Sequence, residues 1–117
     1  TIKAALLDQT VIAGIGNIYA DESLFRAGIR PTRATNKLTG EERLKLAREI
    51  KKVLAQSLAQ RGTSASDYID TEGEKGGFQN FLRVYGRANE PCMSCKRPIK
   101  KILTAQRGTH YCVNCQK

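Results

Sequence analysis

Apolar residues recur at helical spacing through the first half of the chain and give way to short extended runs near its end. Ile2, Ala5, Leu6 and Ile12, with Gln9 as a weak member, approximate one helical face and predict a short first helix. Gly14 and Gly16 in GIGN break it. Asn17 then stands as an N-cap for IYADESLFRA, with Asp21 and Glu22 early enough to favour the positive end of that helix. Gly28 closes it and Pro31 follows. TGEE, from Thr39 to Glu42, reads as a capping box in which hydroxyl and carboxylate reciprocally satisfy free amides. It opens the clearest helix. There Leu46, Ala47, Ile50, Val53, Leu54, Ser57 and Leu58 share a face, while Lys45, Arg48, Glu49, Lys51 and Lys52 fill much of the rest. Gly62 ends it.

Thr63 to Gly77 is polar and glycine-rich, which predicts a loop holding at most a turn of helix near Ser64–Tyr68. FQNFLRVYG, from Phe78, predicts a short amphipathic helix. Beyond Pro91, IKKILTAQRGTHYC predicts two strands around a turn at Arg107–Gly108.

Charge divides the chain more sharply than hydropathy does. Of its 117 residues, 20 are Lys or Arg and 11 are Asp or Glu, a formal charge of +9. Residues 1–82 hold 12 of those cations and 10 of the acids; residues 83–117 hold 8 cations and the single acid Glu90. Positive charge clustered in this way fits a polyanion, nucleic acid before an anionic membrane. No apolar stretch is long enough to span a bilayer, and the N-terminal segment does not read as a secretory signal.

The basic tail also holds every cysteine. Cys92-Met-Ser-Cys95 and Cys112-Val-Asn-Cys115 form paired CxxC knuckles separated by a hairpin, an arrangement that presents four sulfurs to one ion. Four thiolates close the shell, so the expected Zn²⁺ is single and structural rather than an activator of water. Disulfides call for an oxidising compartment, and a redox CxxC would be single. A rubredoxin-like iron site fits the spacing but does not account for the cations. With the sulfurs filling the shell, His110 is expected to pack on the second strand rather than ligate.

Two features address phosphate. GIGN exposes amides at a helix start, with Asn17 able to donate from its side chain and Lys3 able to flank the same site. QRG puts Arg107 at the tip of a metal-stiffened hairpin, with Arg83, Arg87, Lys96, Arg97, Lys100 and Lys101 around it. Read alone, these could equally be a plain helix connection, a solvated lysine and an exposed turn arginine.

GIGNIYADESLFRAGIRP, VYGR and QRGTHYC followed by CQK together closely resemble the C-terminal half of the formamidopyrimidine-DNA glycosylases, bacterial base-excision repair enzymes for oxidised purines. GNIYADE is more similar to these than to endonuclease VIII. The resemblance covers essentially the whole chain. It implies a mainly α fold: a helix-two-turn-helix bundle over residues 1–82, then a four-cysteine zinc β-hairpin over 83–117. It implies that Asn17, with Gly16 beside it, and Arg107, with Gly108, bind phosphates flanking the lesion in damaged double-stranded DNA, with Lys3 near the lesion strand. It further implies that Thr71, Glu72, Gly73, Glu74, Lys75, Gly76 and Gly77 close over the extruded base, largely through backbone amides.

The family's nucleophile is an N-terminal proline followed by glutamate on a separate β-rich domain. Here the chain starts TIK, and Pro31, Pro91 and Pro98 are internal. No catalytic residue is therefore expected in this chain. The expectation is a monomeric C-terminal portion of a cytoplasmic, nucleoid-associated glycosylase/AP lyase, partnered by the missing N-terminal catalytic domain of its own polypeptide and by no membrane. A non-catalytic zinc-ribbon module binding nucleic acid, or a zinc-stabilised protein-interaction domain, stays open as an alternative.

Overall fold

The computed structural model describes residues 1–8, 16–59 and 82–117. Helix α1 spans Ile2–Leu7 and is capped by the Thr1 hydroxyl, which accepts from the Ala4 amide at 3.1 Å. It leaves helical geometry at Asp8, so it stops short of the expected Ile12, which lies with Gly14 and Ile15 outside the described residues. Helix α2 runs Asn17–Ala27 and ends on Gly28, whose φ of 74° and amide bonds to the Leu24 and Phe25 carbonyls make the left-handed cap that glycine adopts without strain. Two turns follow, closed by Arg33 N–H to the Arg30 carbonyl and Lys37 N–H to Ala34. Helix α3 spans Gly40–Ala59 and opens on the expected capping box. The Thr39 amide donates to Glu42 Oε1 at 2.9 Å, and the Glu42 amide donates to Thr39 Oγ1 at 3.1 Å.

The helical core is built from the predicted faces. Ile2 and Leu6 of α1, Ala20, Leu24 and Ala27 of α2, and Leu46 and Ile50 of α3 close around Ile29 and Leu38 of the connection. Of the predicted α3 face, Ala47 is exposed and the Leu58 side chain is not described. Gly62, the helical turn at 64–68 and the start of FQNF also lie outside the described residues. The described end of that last segment is not helix. Residues 83–86 form bends and turns, because the Arg83, Val84 and Tyr85 amides donate to the Glu22 carboxylate instead of to carbonyls a turn earlier.

Strands β1 (Lys100–Thr104) and β2 (Arg107–Tyr111) form an antiparallel hairpin in which Thr104 pairs with Arg107 and Lys100 with Tyr111. A second small core sits beneath it: Phe25 of α2 reaches across to Val84, Ile99 and the cysteines. The C-terminus stitches this unit to the helical layer. Gln116 Nε2 donates to the Ile29 carbonyl at 2.8 Å, Lys117 N–H to Gly28 at 2.9 Å, and Arg30 to the Val113 and Gln116 carbonyls.

Candidate functional site

The start of α2 and the start of β2 meet at one place. Gly16, not Asn17, is the N-cap, with extended backbone and no side-chain bond. A Cβ at Gly16 would meet nothing within 4 Å, so the backbone there is open to close approach. Asn17 is the first helical residue, and its side chain is spent on a tertiary contact: Nδ2 donates to the Gly108 carbonyl at 3.1 Å. That use explains the displaced cap, since a side chain turned towards β2 cannot fold back on its own helix. Each amide nitrogen has two hydrogens, so Asn17 keeps a second donor. The unpaired N–H groups of the first turn add a positive dipole end beside it.

The hairpin turn is Ala105–Gln106, two residues before the position expected from the sequence. Both residues have positive φ, 56° and 61°, as a two-residue type I′ turn requires. Neither is glycine, so the tip carries strain on the order of 1 kcal/mol per residue. Arg107 is thus the first residue of β2, exposed and beside the turn rather than at its apex. Gly108 has another use than turning. A Cβ there would lie 3.1 Å from Lys101 Cε, so glycine leaves room for the Lys101 side chain to cross the strand.

Lys3 is no surface lysine. It is fully buried, with its ammonium 2.5 Å from Asp21 Oδ1 and 2.8 Å from Thr109 Oγ1. The other Asp21 oxygen accepts the His110 amide at 3.0 Å, with the His110 ring nitrogen 3.4 Å away. One carboxylate therefore ties α1, α2 and β2 together. Burial pushes the Lys3 ammonium below its ordinary pKa; Asp21 opposes this, and the like charge of Arg107 adds to it. His110 packs, as expected, edge-on against the Tyr85 ring at 4.9 Å.

The helix-dipole role expected of Asp21 and Glu22 is corrected by the structure. Neither is in the first turn, and both are buried. Glu22 holds the three successive amides of Arg83, Val84 and Tyr85 at 2.8–2.9 Å. Burial raises its pKa, and those amides and Arg26 pull it back. The sequence did carry a cue for this pair: adjacent acids inside the apolar run of α2, at positions that helical periodicity turns inward. Thr109 and Tyr85 carried none.

The four cysteine sulfurs lie within 4.8 Å of one another, with Cys92–Cys115 at 3.8 Å and Cys95–Cys112 at 3.4 Å. A zinc ion with Zn–S bonds of about 2.3 Å needs sulfurs about 3.8 Å apart at tetrahedral angles. The donor set fits. The Ser94 and Cys115 amides point at the Cys92 and Cys112 sulfurs at 3.4 Å, which favours thiolates. Left to themselves, the thiols ionise unequally. The Arg97 amide holds Cys95 down to about 6, while burial and its sulfur neighbours push Cys115 up to about 12. A divalent cation among them would take all four as thiolates and fix the hairpin to the second knuckle. Arg87 braces the first knuckle, donating to the Arg83 and Pro91 carbonyls at 2.7 Å.

The structure thus brings Asn17, Gly108 and, next in the chain, Arg107 to one junction, with Gly16 at its open side and Lys3 beneath. The residues expected to cover a lesion, 71–77, lie outside the described residues.

Known proteins share this fold. A family model described as "Formamidopyrimidine-DNA glycosylase H2TH domain" matches residues 1–68, and one described as "Zinc finger found in FPG and IleRS" matches residues 89–117. Formamidopyrimidine-DNA glycosylase of Desulfitobacterium hafniense is 56% identical over 115 residues, covering 98% of this chain and 42% of the relative. The crystal structure of MutM (Fpg) from Thermus thermophilus matches with a TM-score of 0.89 at 48% identity, over 98% of this chain and 44% of that one. Lactococcus lactis Fpg, solved with DNA containing an abasic site, gives 0.88 at 41% identity, over 99% of this chain and 42% of that one. The chain spans under half the length of these relatives, their H2TH and zinc-finger portion. With a family model matching more than half of its length and solved relatives sharing its fold, this chain belongs to the formamidopyrimidine-DNA glycosylase family.

Proposed function

We propose that this chain is the DNA-gripping portion of a bifunctional glycosylase/AP lyase that excises oxidised purines, holding damaged double-stranded DNA for a catalytic domain elsewhere in the same polypeptide. One observation carries the reading: the hydrogen bond from Asn17 Nδ2 to the Gly108 carbonyl, which sets the amide-rich start of α2 beside Arg107. Amides at a glycine-capped helix start, the free Asn17 donor and an exposed guanidinium are the donors a phosphodiester backbone accepts. Gly16 lets the strand approach the backbone. Lys3 works from beneath, locked onto Asp21 and Thr109 so that β2 and its arginine stay against α2.

Gripping two phosphates of one strand from two elements holds the duplex while the base between them is extruded, which costs a few kcal/mol in unstacking. The segment 71–77 is assigned to cover that base. Base removal needs an activated amine at the sugar, and this chain is assigned no catalytic residue. On its own it binds duplex DNA with strong salt dependence and little lesion preference, and it neither excises a base nor nicks an abasic site. It acts as a monomer in the cytoplasm, on the nucleoid.

Arg107→Ala is the direct test. Duplex affinity should fall, and the slope of log affinity against log salt should shrink by about 0.9, one phosphate contact. An unchanged slope would remove Arg107 from the interface. Cleavage of an abasic duplex by the pure chain, with a borohydride-trapped adduct, would overturn the assignment of chemistry elsewhere.

A further inference from the structure

The hairpin has two outer edges, one covered by α2 and the other covered only at its start, where Ile99 exchanges backbone hydrogen bonds with Asn89 and Glu90 at 2.8 Å. On β2, the Gly108 carbonyl accepts from Asn17 and the His110 amide donates to Asp21, so that edge is spent on α2. It follows that the Leu103–Gly108 and Lys101–His110 pairs do not exchange ladder hydrogen bonds. The N–H and C=O groups of Lys101 and Leu103 then point away from β2. No neighbouring strand takes them among the described residues. Leu103 is 77% exposed, the largest exposure of a big apolar side chain among those residues.

Beside this open edge lies a cleft of about 560 Å³. Ala88, Pro98 and Val113 give it apolar walls, Arg97 and Lys100 line it with positive charge, and no acid is among its lining residues. Lysine on an edge strand can simply discourage pairing between identical chains. The cleft adds an apolar receptacle, and it makes the edge selective for a strand of opposite charge.

We propose that the outer edge of β1 and its adjoining cleft dock an extended acidic peptide segment of a partner protein. The segment adds as a strand through the Lys101 and Leu103 backbone groups, drops an apolar side chain into the cleft and sets its carboxylates on Arg97 and Lys100. Nucleic acid is the poorer occupant. Phosphates only accept, so the Lys101 and Leu103 carbonyls would lose water without gaining a donor, and the apolar walls would gain nothing. A peptide strand brings donors, acceptors and apolar groups together. Arg97, Lys100 and the outward backbone groups of Lys101 and Leu103 take no part in the Asn17–Arg107 junction, so this docking role goes beyond the DNA-gripping one.

The test uses the zinc-loaded chain and a short synthetic peptide alternating aspartate with valine, against the same peptide with lysine in place of aspartate. Amide exchange followed by NMR should slow at Lys101 and Leu103 on adding the acidic peptide only. Leu103→Pro removes one outward N–H while leaving the bonds to β2, so peptide binding should weaken by about tenfold or more, with zinc content and duplex binding retained. Should that variant lose its hairpin, Lys100→Glu serves instead, with the same loss expected and recovery by the lysine peptide. Equal binding of both peptides to the unaltered chain, unprotected Lys101 and Leu103 amides at saturation, or protection of those amides by duplex DNA instead would overturn the proposal.

Discussion

Replacing Lys3 with methionine separates two roles that one buried amine could have. Methionine nearly matches the stem in volume, so packing changes little and the charge is what is lost. Asp21 would keep the His110 amide at 3.0 Å but lose its counter-ion at a site with no solvent exposure. Breaking a buried pair on one side costs about 3–5 kcal/mol. The low end, about 3 kcal/mol, is expected here, because the like charge of Arg107 already offsets part of the attraction. Urea denaturation at fixed free zinc measures it, since bound metal contributes to apparent stability. Asp21→Asn alone should cost a similar amount, and the double variant clearly less than the sum, a coupling of about 2 kcal/mol or more. The pH dependence gives a second readout. With the folded pKa lowered, the unfolded chain binds the extra proton between that value and 10.5, so stability rises with pH across this window and falls as pH drops through it. Lys3→Met should flatten that rise. Because the amine is enclosed, its removal should leave the salt slope of duplex binding unchanged. A stability loss under about 1 kcal/mol, together with a slope reduced by about 0.9, would refute the enclosed pair and put Lys3 on the DNA strand.

Cys112→Ser should abolish stoichiometric zinc and unfold the hairpin, read from metal content and the dispersion of β1 and β2 amide resonances; full zinc with native signals would remove Cys112 from the centre. Gly16→Ala should cost about 1 kcal/mol at most, the difference between glycine and alanine at an N-cap, since a Cβ there meets nothing, yet weaken duplex binding by crowding the approaching strand. Unchanged affinity would place the phosphate elsewhere. Glu42, paired with Arg33 and bonded by the Thr39 amide, has its pKa held down to about 2. It therefore stabilises the fold above pH 4.5 and loses that contribution as pH falls towards 2. Glu42→Gln should show a shallower acid-side decline in thermal melts; an identical decline would mean that the Arg33 pair adds nothing.

What the chain announces in its sequence is local in origin. Thr39 and Glu42 cap one helix because hydroxyl and carboxylate stand three positions apart, and Gly28 ends another because it alone adopts that φ without strain. The cysteine centre is legible for a similar reason: each knuckle is a short-range turn, and a hairpin is enough to join the two. The misplaced hairpin turn marks where local reading fails. Glycine at position 108 signalled a turn, but it lies within β2 beneath the Lys101 side chain, and the turn is made by Ala105 and Gln106 under strain. Asn17, likewise, looked like a cap and became a brace. The partners of Lys3, Asn17 and Asp21 lie 106, 91 and 89 positions away, respectively Thr109, Gly108 and His110. No spacing rule reaches across such distances. Only the packing of β2 against α2 turns a lysine, two acids and an asparagine on short helices into a buried pair, a loop anchor and a brace between α2 and β2, because burial makes each of these groups take a partner from whatever chain lies opposite.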